Sequence, residues 1–310
     1  MKILVLAGGT SFEREVSLES GHAVATALDA AGHAVSMLDP AESDEAAWTT
    51  ADSEIVVPMV HGTDGEDGVL QSRLLAAGLR YVGSSPEASR ITFDKPATVE
   101  ALHNAGLPVA PSVVFTADGP LPGHQPRLDA LHLPIVVKPA QQGSSVGVSI
   151  VRSADQMLPA IQKALAFGDR CLVEDFIDGR EVTVPVIDGD AWPAVEIRPA
   201  AAWYDFNAKY NDTQTEYRVA VDDLPNDLPQ LSVAACELFG VQGIARVDFR
   251  VGHDGRARIL EINTVPGMTN NSLVPKSGAH LGHSLAEICE LAIRNELHRD
   301  ELHRDQQNGD

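Results

Sequence analysis

The run ARVDFRVGHDGRARILEIN, Ala245 to Asn263, alternates apolar and charged residues on both sides of an Asp254-Gly255 dipeptide. Such alternation around Asp-Gly predicts a β-hairpin with a two-residue type I′ turn. In that register facing residues have numbers that sum to 509, so Asp248 faces Glu261 and Arg246 faces Asn263. On the opposite face Val247 meets Ile262 and Phe249 meets Leu260, which turns an apolar side inward and gathers the carboxylates on the other. Like charges directly across a strand pair are destabilising. Either sheet twist and solvent separate them, or something positive sits between them. Oxygen donors from Asp, Glu and Asn on one rigid face suit a hard cation such as Mg²⁺, which prefers a few protein oxygens plus substrate phosphates. The hairpin is therefore a candidate divalent-metal site that waits for a nucleotide.

A chain of 310 residues, 44% hydrophobic, can bury a large core and divide into two or three domains. No apolar run approaches the roughly 18 to 20 residues needed to span a bilayer. The opening MKILVLAGGT reads as a first strand, not as a cleavable signal, so a cytoplasmic location is expected. A formal net charge of -21 argues against nucleic-acid binding and against adhesion to anionic lipid. Cys171, Cys236 and Cys289 lack metal-type spacing and sit among apolar neighbours, which predicts buried, reduced thiols.

Along the chain, KILVLA runs into Gly8-Gly9-Thr10 and then a helical stretch with Val16, Val24, Ala27 and Leu28 on one face. AVSMLD and EIVVPMVHG read as further strands, so residues 1 to about 90 form a small parallel sheet of Rossmann-like, α/β type. Gly8-Gly9 lacks the third glycine of a dinucleotide fingerprint, which discounts NAD. A second segment, 91–179, opens with a helix capped by Asp94 and continues through LPIVVKPA, the loop QQGSSVG and the strand CLVEDFI. A third, 180–305, holds a hairpin around Asp188-Gly189-Asp190, a long polar loop, a helix near 228–239 and the carboxylate hairpin. These last two thirds are α+β. The tandem ELHRDELHRD is expected to continue the last helix as a solvated or frayed tail.

Only six lysines occur: Lys2, Lys95, Lys138, Lys163, Lys209 and Lys276. Lys138 ends an apolar strand directly before QGSSVG, where a point charge and close-approaching backbone amides could hold phosphate together, although the loop is not a Walker A. Lys95, early in its helix, is either a second phosphate contact or a solvated surface charge.

GGTSFEREVS, HGTDGEDGVLQ, FDK, VVKPAQQGSSVG, YDFNAKY, ARVDF and LEINTVPGMTNNSLVP, in this order, resemble the signature segments of the D-alanine:D-alanine ligase family. The resemblance runs from Met1 to about Ile293. It implies an ATP-grasp fold, in which two α+β subdomains hold ATP between them, and the ATP-dependent joining of two D-alanine molecules through a D-alanyl phosphate, for peptidoglycan precursor synthesis. It also implies two Mg²⁺ or Mn²⁺ ions and a homodimer.

Position by position, the resemblance implies that Lys95 and Lys138 bind the α- and β-phosphates. Glu174 and Glu181 would meet the adenine amino group and the ribose hydroxyls, with Lys209 also among the nucleotide contacts. Asp248 and Glu261 would share one metal ion, and Glu261 and Asn263 would hold a second. Glu13 would receive the first D-alanine's ammonium and join Ser144 and Tyr210 in one network. Glu13 at a helix start and Tyr210 as a loop anchor are the plainer alternatives. His61 would lie near the first substrate's carboxylate, or be structural. Arg246 would stabilise the tetrahedral oxyanion, and Ser272 with the amide of Leu273 would receive the second D-alanine's carboxylate. The segment YDFNAKYNDTQTEY is the expected lid.

The chain departs from the pattern at Asp175, where some members carry a lysine, which puts an adenine contact from that side chain in doubt. Three rival readings stand beside the ligase. One is a D-alanine:D-lactate ligase of the same fold, disfavoured by tyrosine rather than phenylalanine at position 210. Another is a non-catalytic nucleotide-binding module, and a distant third is a sugar-nucleotide or NAD enzyme.

Overall fold

A computed structural model describes residues 1–120, 130–199 and 214–308. The first sheet is parallel, with order β2-β1-β3, from β1 (Lys2–Leu6), β2 (Ala34–Leu38) and β3 (Ile55–Pro58). Helices α1 (Arg14–Ala30), α2 (Glu45–Thr50), α3 (Val69–Ala76) and α4 (Pro86–Phe93) alternate with and follow these strands. Nearly all of β1 and all of β3 are buried, as near-continuous apolar runs in a parallel sheet require.

The Gly8-Gly9 turn is filled by the chain itself. Gly9 N donates to Asp39 Oδ1 at 2.8 Å, and a Cβ at Gly8 would collide with the same carboxylate. The Asp39 carboxylate therefore occupies the turn between β1 and α1.

The middle of the chain adds α5 (Lys95–Asn104) and the antiparallel strands β4 (Ser112–Thr116), β5 (Gly119–Pro120), β6 (Ile135–Pro139) and β7 (Ser149–Val151). Helix α6 (Met157–Leu165) and strand β8 (Arg170–Asp175) complete it, and the sheet order is β5-β4-β8-β6-β7. Val113, Val137 and Val173 pack against Ala160, Ile161 and Ala164 of α6, which leaves Lys138 and Glu174 on the opposite face.

The third sheet is built from β9 (Gly179–Ile187), β10 (Asp190–Ala191), β11 (Val195–Arg198), β12 (Glu216–Val219), β13 (Ile244–Gly252) and β14 (Ala257–Asn263). Its order is β12-β11-β9-β13-β14, with β10 on β9. Val182, Val184, Val247, Phe249 and Ile262 pack on α7 (Leu228–Phe239). By strand alternation Glu181, Thr183, Arg246, Asp248, Arg250 and Glu261 emerge on the other face.

The carboxylate hairpin reaches its expected pairing by a different route. Its connection is a three-residue loop, with Gly252 N bonded to Arg256 O at 3.0 Å and Gly255 in the left-handed region at φ +74°. This is the type I turn with a glycine bulge, not the two-residue type I′ turn. Val251 consequently pairs with Ala257 and Phe249 with Ile259, not Leu260. A bulge beyond Phe249 then absorbs Leu260 and restores the register, so that Asp248 does face Glu261, Val247 faces Ile262 and Arg246 faces Asn263. The two one-residue shifts cancel.

Helices α8 (Leu273–His280) and α9 (Leu285–Asn308) close the chain, and Ile288, Ala292 and Ile293 pack with Val24 and Leu28 of α1. The first ELHRD repeat is docked rather than solvated. Arg299 Nη1 lies 2.5 Å from Asp188 Oδ1, Asn295 Nδ2 donates to Asp188 Oδ2 at 2.9 Å, and Leu297 packs on the core. The three cysteines are buried and unpaired. No helix among the described residues is long and apolar enough to cross a membrane.

Candidate active site

Two adjoining cavities lie where the three sheets meet. One is walled by Glu13, His61, Ser144, Arg246, Asn263, Ser272 and Leu273; the other lies between the central and third sheets and is walled by Lys138, Glu174, Glu181 and Asp248. Lys95 and Glu261 belong to both walls. Every expected site residue among the described residues is thus brought together. Lys209 and Tyr210 lie outside the described residues, as does most of the expected lid.

Glu13 occupies the N-cap position of α1 but makes no capping bond with its side chain. Its carboxylate instead accepts a hydrogen bond from Ser144 Oγ, 131 residues away. Glycines make the room: a Cβ at Gly62 would stand 2.7 Å from Glu13 Oε2, and one at Gly143 would collide with the same carboxylate. Ser144 and Ser145 are consecutive left-handed residues, at φ +49° and +60°. Each such non-glycine conformation costs on the order of 1–3 kcal/mol, so surrounding contacts must hold the loop in the shape that aims Ser144 at Glu13.

His61 is buried with both ring nitrogens engaged. Nδ1 lies 2.8 Å from Val265 O and Nε2 lies 3.1 Å from Ser20 Oγ. A carbonyl only accepts, so Nδ1 carries the proton, and Ser20 donates to Nε2 while accepting from Met268 N at 3.2 Å. Burial, with Arg246 nearby, lowers the imidazole pKa to about 4. His61 is therefore a neutral brace of the first cavity and supplies no charge to it.

Glu66 belongs to the same wall and was not singled out by the sequence, although it stands within HGTDGEDG. Burial first, and the Glu13 carboxylate second, push its pKa up to about 8. It accepts from Gly62 N at 3.1 Å.

Lys95 begins α5, whose N-cap Asp94 accepts from Ala97 N at 3.1 Å. The other oxygen of Asp94 accepts from Arg170 at 2.6 Å and Gln141 at 3.1 Å, fixing the helix start to the root of the glycine-serine loop. Lys95 Nζ then reaches Gln142 O at 2.8 Å and Glu261 Oε2 at 3.1 Å. Burial opposes its charge, but Glu261, followed by Glu66 and Glu13, holds its pKa above the ordinary lysine value. It is no surface lysine.

In the second cavity Lys138 is ion-paired with Glu174, and Glu181 with Arg250 at 3.2 Å. Arg250 is a second residue the sequence left unassigned, although it alternates with Arg246 and Asp248 on one strand face. Val136, Val148, Ile150, Ile177 and Leu260 give this cavity apolar walls. An apolar slot with charge at one end suits a flat heteroaromatic ring bearing a polyanionic tail. Leu260 lines it because the bulge turns that residue out of the core. Asp175 Oδ1 accepts from His132 N at 3.0 Å, so this carboxylate is engaged by the adjoining loop.

At the junction Arg246 pairs with Asp248 as Lys95 does with Glu261. Among the described residues no three His, Cys, Asp or Glu side chains form a metal cage. Asp248, Glu261 and Asn263 nevertheless fit a Mg²⁺-like ion that completes its shell with phosphate and water, since all three offer hard oxygens from paired strands. Asn263 Oδ1 already accepts from Val265 N at 2.9 Å, leaving one lone pair for a ligand. Ser272 stands at the start of α8 without capping it, and its Oγ accepts from Thr269 N at 3.1 Å. The amide of Leu273 follows at that helix N-terminus, where an anionic group is stabilised.

The sequence and fold have known relatives. Residues 101–294 match the family described as D-ala D-ala ligase C-terminus. The chain is 40% identical to the D-alanine–D-alanine ligase of Actinobacillus succinogenes over 93% of its own length and 95% of that relative. To the Neisseria meningitidis serogroup A enzyme of the same name it is 38% identical, over 93% and 95%. A crystal structure of D-alanine–D-alanine ligase from Bacillus anthracis superposes with TM-score 0.86 at 32% identity, covering 98% of this chain and 99% of that one. The B. anthracis ligase complexed with ATP gives TM-score 0.84 at 28% identity, with the same coverage. Similarity that spans all three sheets and both cavities at once places this chain in the D-alanine–D-alanine ligase family, with its ATP-grasp fold.

Proposed function

We propose that this chain joins two molecules of D-alanine at the expense of ATP, releasing ADP and phosphate, and so supplies a dipeptide for peptidoglycan. The observation that carries the reading is the junction. Lys95 and Glu261 wall both cavities, and the Arg246–Asp248 pair links one cavity to the other. A nucleotide in the apolar slot then ends its phosphate tail where an amino acid in the first cavity begins.

The roles follow from that placement. Lys138 and Lys95 hold the phosphates as point charges, each exchanging a carboxylate partner for a phosphate oxygen. Glu174 and Glu181 face the base and ribose, and Lys209 adds a nucleotide contact. Glu13, bonded to Ser144, receives the ammonium of the first D-alanine and points that substrate's carboxylate toward the γ-phosphate, and Tyr210 is assigned to the same network. Attack there gives an acyl phosphate, which solves the problem of a poor leaving group. Ser272 and Leu273 N seat the carboxylate of the second D-alanine, whose neutral amine attacks the acyl carbon. Arg246 stabilises the resulting oxyanion, and collapse expels phosphate. Asp248, Glu261 and Asn263 would hold two Mg²⁺ or Mn²⁺ ions, which when bound neutralise charge on the triphosphate.

We further assign residues 1–90 to a Rossmann-like domain, and 91–179 and 180–305 to the two ATP-grasp subdomains. Incubation with ATP, Mg²⁺ and D-alanine tests the function. ADP, phosphate and dipeptide in equal amounts are expected; a folded protein that binds ATP but makes no dipeptide refutes the reading.

A further inference from the structure

Phe12 precedes Glu13 and leaves 75% of its surface exposed. Its ring meets Phe167 edge to face, with centroids 6.4 Å apart and planes at 76°. Phe167 follows α6 and lies directly on the glycine-serine loop: a Cβ at Gly147 would stand 2.8 Å from its ring carbons Cδ2 and Cε2. The other end of the same loop is held by Glu13, through Ser144 and against Gly143. The contacts close a circuit, from Phe12 and Glu13 across the loop to Phe167 and back. Within the loop Val146 N bonds to Gly143 O at 3.1 Å and Val148 N to Ser145 O at 3.3 Å. With two serines in the left-handed region, the loop's shape depends on what grips it from outside.

We propose that Phe12 and Phe167 are positioning residues, an aromatic clasp that holds the 143–147 loop down over the reacting carboxylate and keeps water from the acyl phosphate. This rests on the ligase reading above. In coupled turnover the second D-alanine's nitrogen bonds to the acyl carbon, the carbon–oxygen bond to phosphate breaks, and phosphate departs with that electron pair. When water attacks instead, its oxygen bonds to the same carbon, the same bond breaks, and D-alanine and phosphate are released. The net change is then hydrolysis of ATP to ADP and phosphate without dipeptide.

The test measures phosphate and dipeptide in the same samples for the wild type, Phe12→Ala, Phe167→Ala and the double variant. Phosphate that depends on D-alanine but is not matched by dipeptide should rise roughly two- to tenfold in each single variant, the range expected for loss of one edge-to-face pair. The double variant should leak no more than either single one, because each ring acts through the other. Phe12→Tyr, which keeps the ring edge, should stay at the wild-type ratio. Unchanged leakage in Phe12→Ala, or leakage in the double variant equal to the product of the single effects, overturns the clasp. Should Phe167→Ala fail to fold, Phe12→Ala decides alone, since its exposed ring carries no core packing. A wild-type protein that makes no dipeptide refutes the ligase reading and the clasp with it, whereas coupled turnover with unaltered leakage refutes the clasp alone.

Discussion

Lys95 Nζ lies 3.1 Å from Glu261 Oε2, and the two side chains form part of the wall of both cavities. On the roles proposed above, a phosphate-binding cation and a metal-binding carboxylate neutralise each other here until nucleotide and metal separate them. The arrangement also relieves the like-charge facing of Asp248 and Glu261, since Arg246 serves Asp248 in the same way.

Glu261→Gln should therefore lower turnover by roughly a hundredfold or more, the scale of losing a charged group that acts at the transition state, while unfolding stability changes by only about 1 kcal/mol. The stability change stays small because Glu261 is more than a quarter exposed and loses a like-charged neighbour as well as a partner. Steady-state kinetics over a Mg²⁺ titration, beside urea denaturation, separate the two. Near-normal activity with unchanged Mg²⁺ dependence would remove Glu261 from the metal site.

Lys138→Ala should weaken ATP binding about ten- to a hundredfold, as expected for a charged contact of about 1.5–3 kcal/mol. The control matters. Lys163 lies outside every motif, but its Nζ is 3.0 Å from Val148 O, beside the glycine-serine loop. Lys2, exposed and paired with Asp52 on the first sheet, is the cleaner comparison. Calorimetric titration with ATP should show a loss in Lys138→Ala and none in Lys2→Ala; equal losses would mean that Lys138 has no special role.

Glu66 and His61 push stability in opposite directions with pH. The Glu66 carboxyl, raised from 4.5 to about 8, binds more protons folded than unfolded across that window, so its contribution is full below 4.5 and is lost as pH rises toward 8. His61, lowered from 6.5 to about 4, binds fewer protons folded, so its contribution is present above 6.5 and lost as pH falls toward 4. Glu66→Gln, a neutral isostere, should remove the loss of stability on the alkaline side and leave the acidic loss intact. Denaturation midpoints at several pH values between 5 and 8 check this (a range set by the window in which Glu66 titrates). An alkaline loss that persists in the variant would show that Glu66 does not carry it.

Arg299→Ala should cost roughly 1.5–3 kcal/mol, because it strips a charged hydrogen bond from Asp188, a turn residue that also accepts from Gly243 N at 2.8 Å. Truncation after Glu301 removes most of the second ELHRD repeat and should change stability by no more than about 0.5 kcal/mol. Equal effects would mean that the first repeat is not the docked one.

The carboxylate face of the third sheet was legible in the sequence because strand alternation is strict and Asp-Gly marks the turn. The loop length was misjudged by one residue, and a bulge at Leu260 restored the pairing that the shorter loop predicted. Bulges leave little trace in a single sequence, since the inserted residue can be any apolar one. Lys95 and Lys138 stood out in local motifs and Ser144 came from the family resemblance, whereas Glu66 and Arg250 were not singled out and Asp94 was read only as a helix cap, not as a partner of Arg170. What distinguishes these three is long-range: Asp94 meets Arg170, 76 residues away, and Glu66 is shifted by burial that no local pattern encodes. Arg299 was assigned to a solvated tail because charge and repetition resemble solvation, and its partner Asp188 lies 111 residues earlier.

The most direct measurement follows an oxygen atom. D-alanine carrying ¹⁸O in its carboxylate is turned over with ATP and Mg²⁺, and the released phosphate is analysed by ³¹P NMR. Attack of the first D-alanine's carboxylate on the γ-phosphorus, followed by expulsion of phosphate by the second amine, places one ¹⁸O in each phosphate for each dipeptide formed. Phosphate free of label, or formation of AMP and pyrophosphate in place of ADP, would contradict an acyl phosphate made at the Lys95–Glu261 junction.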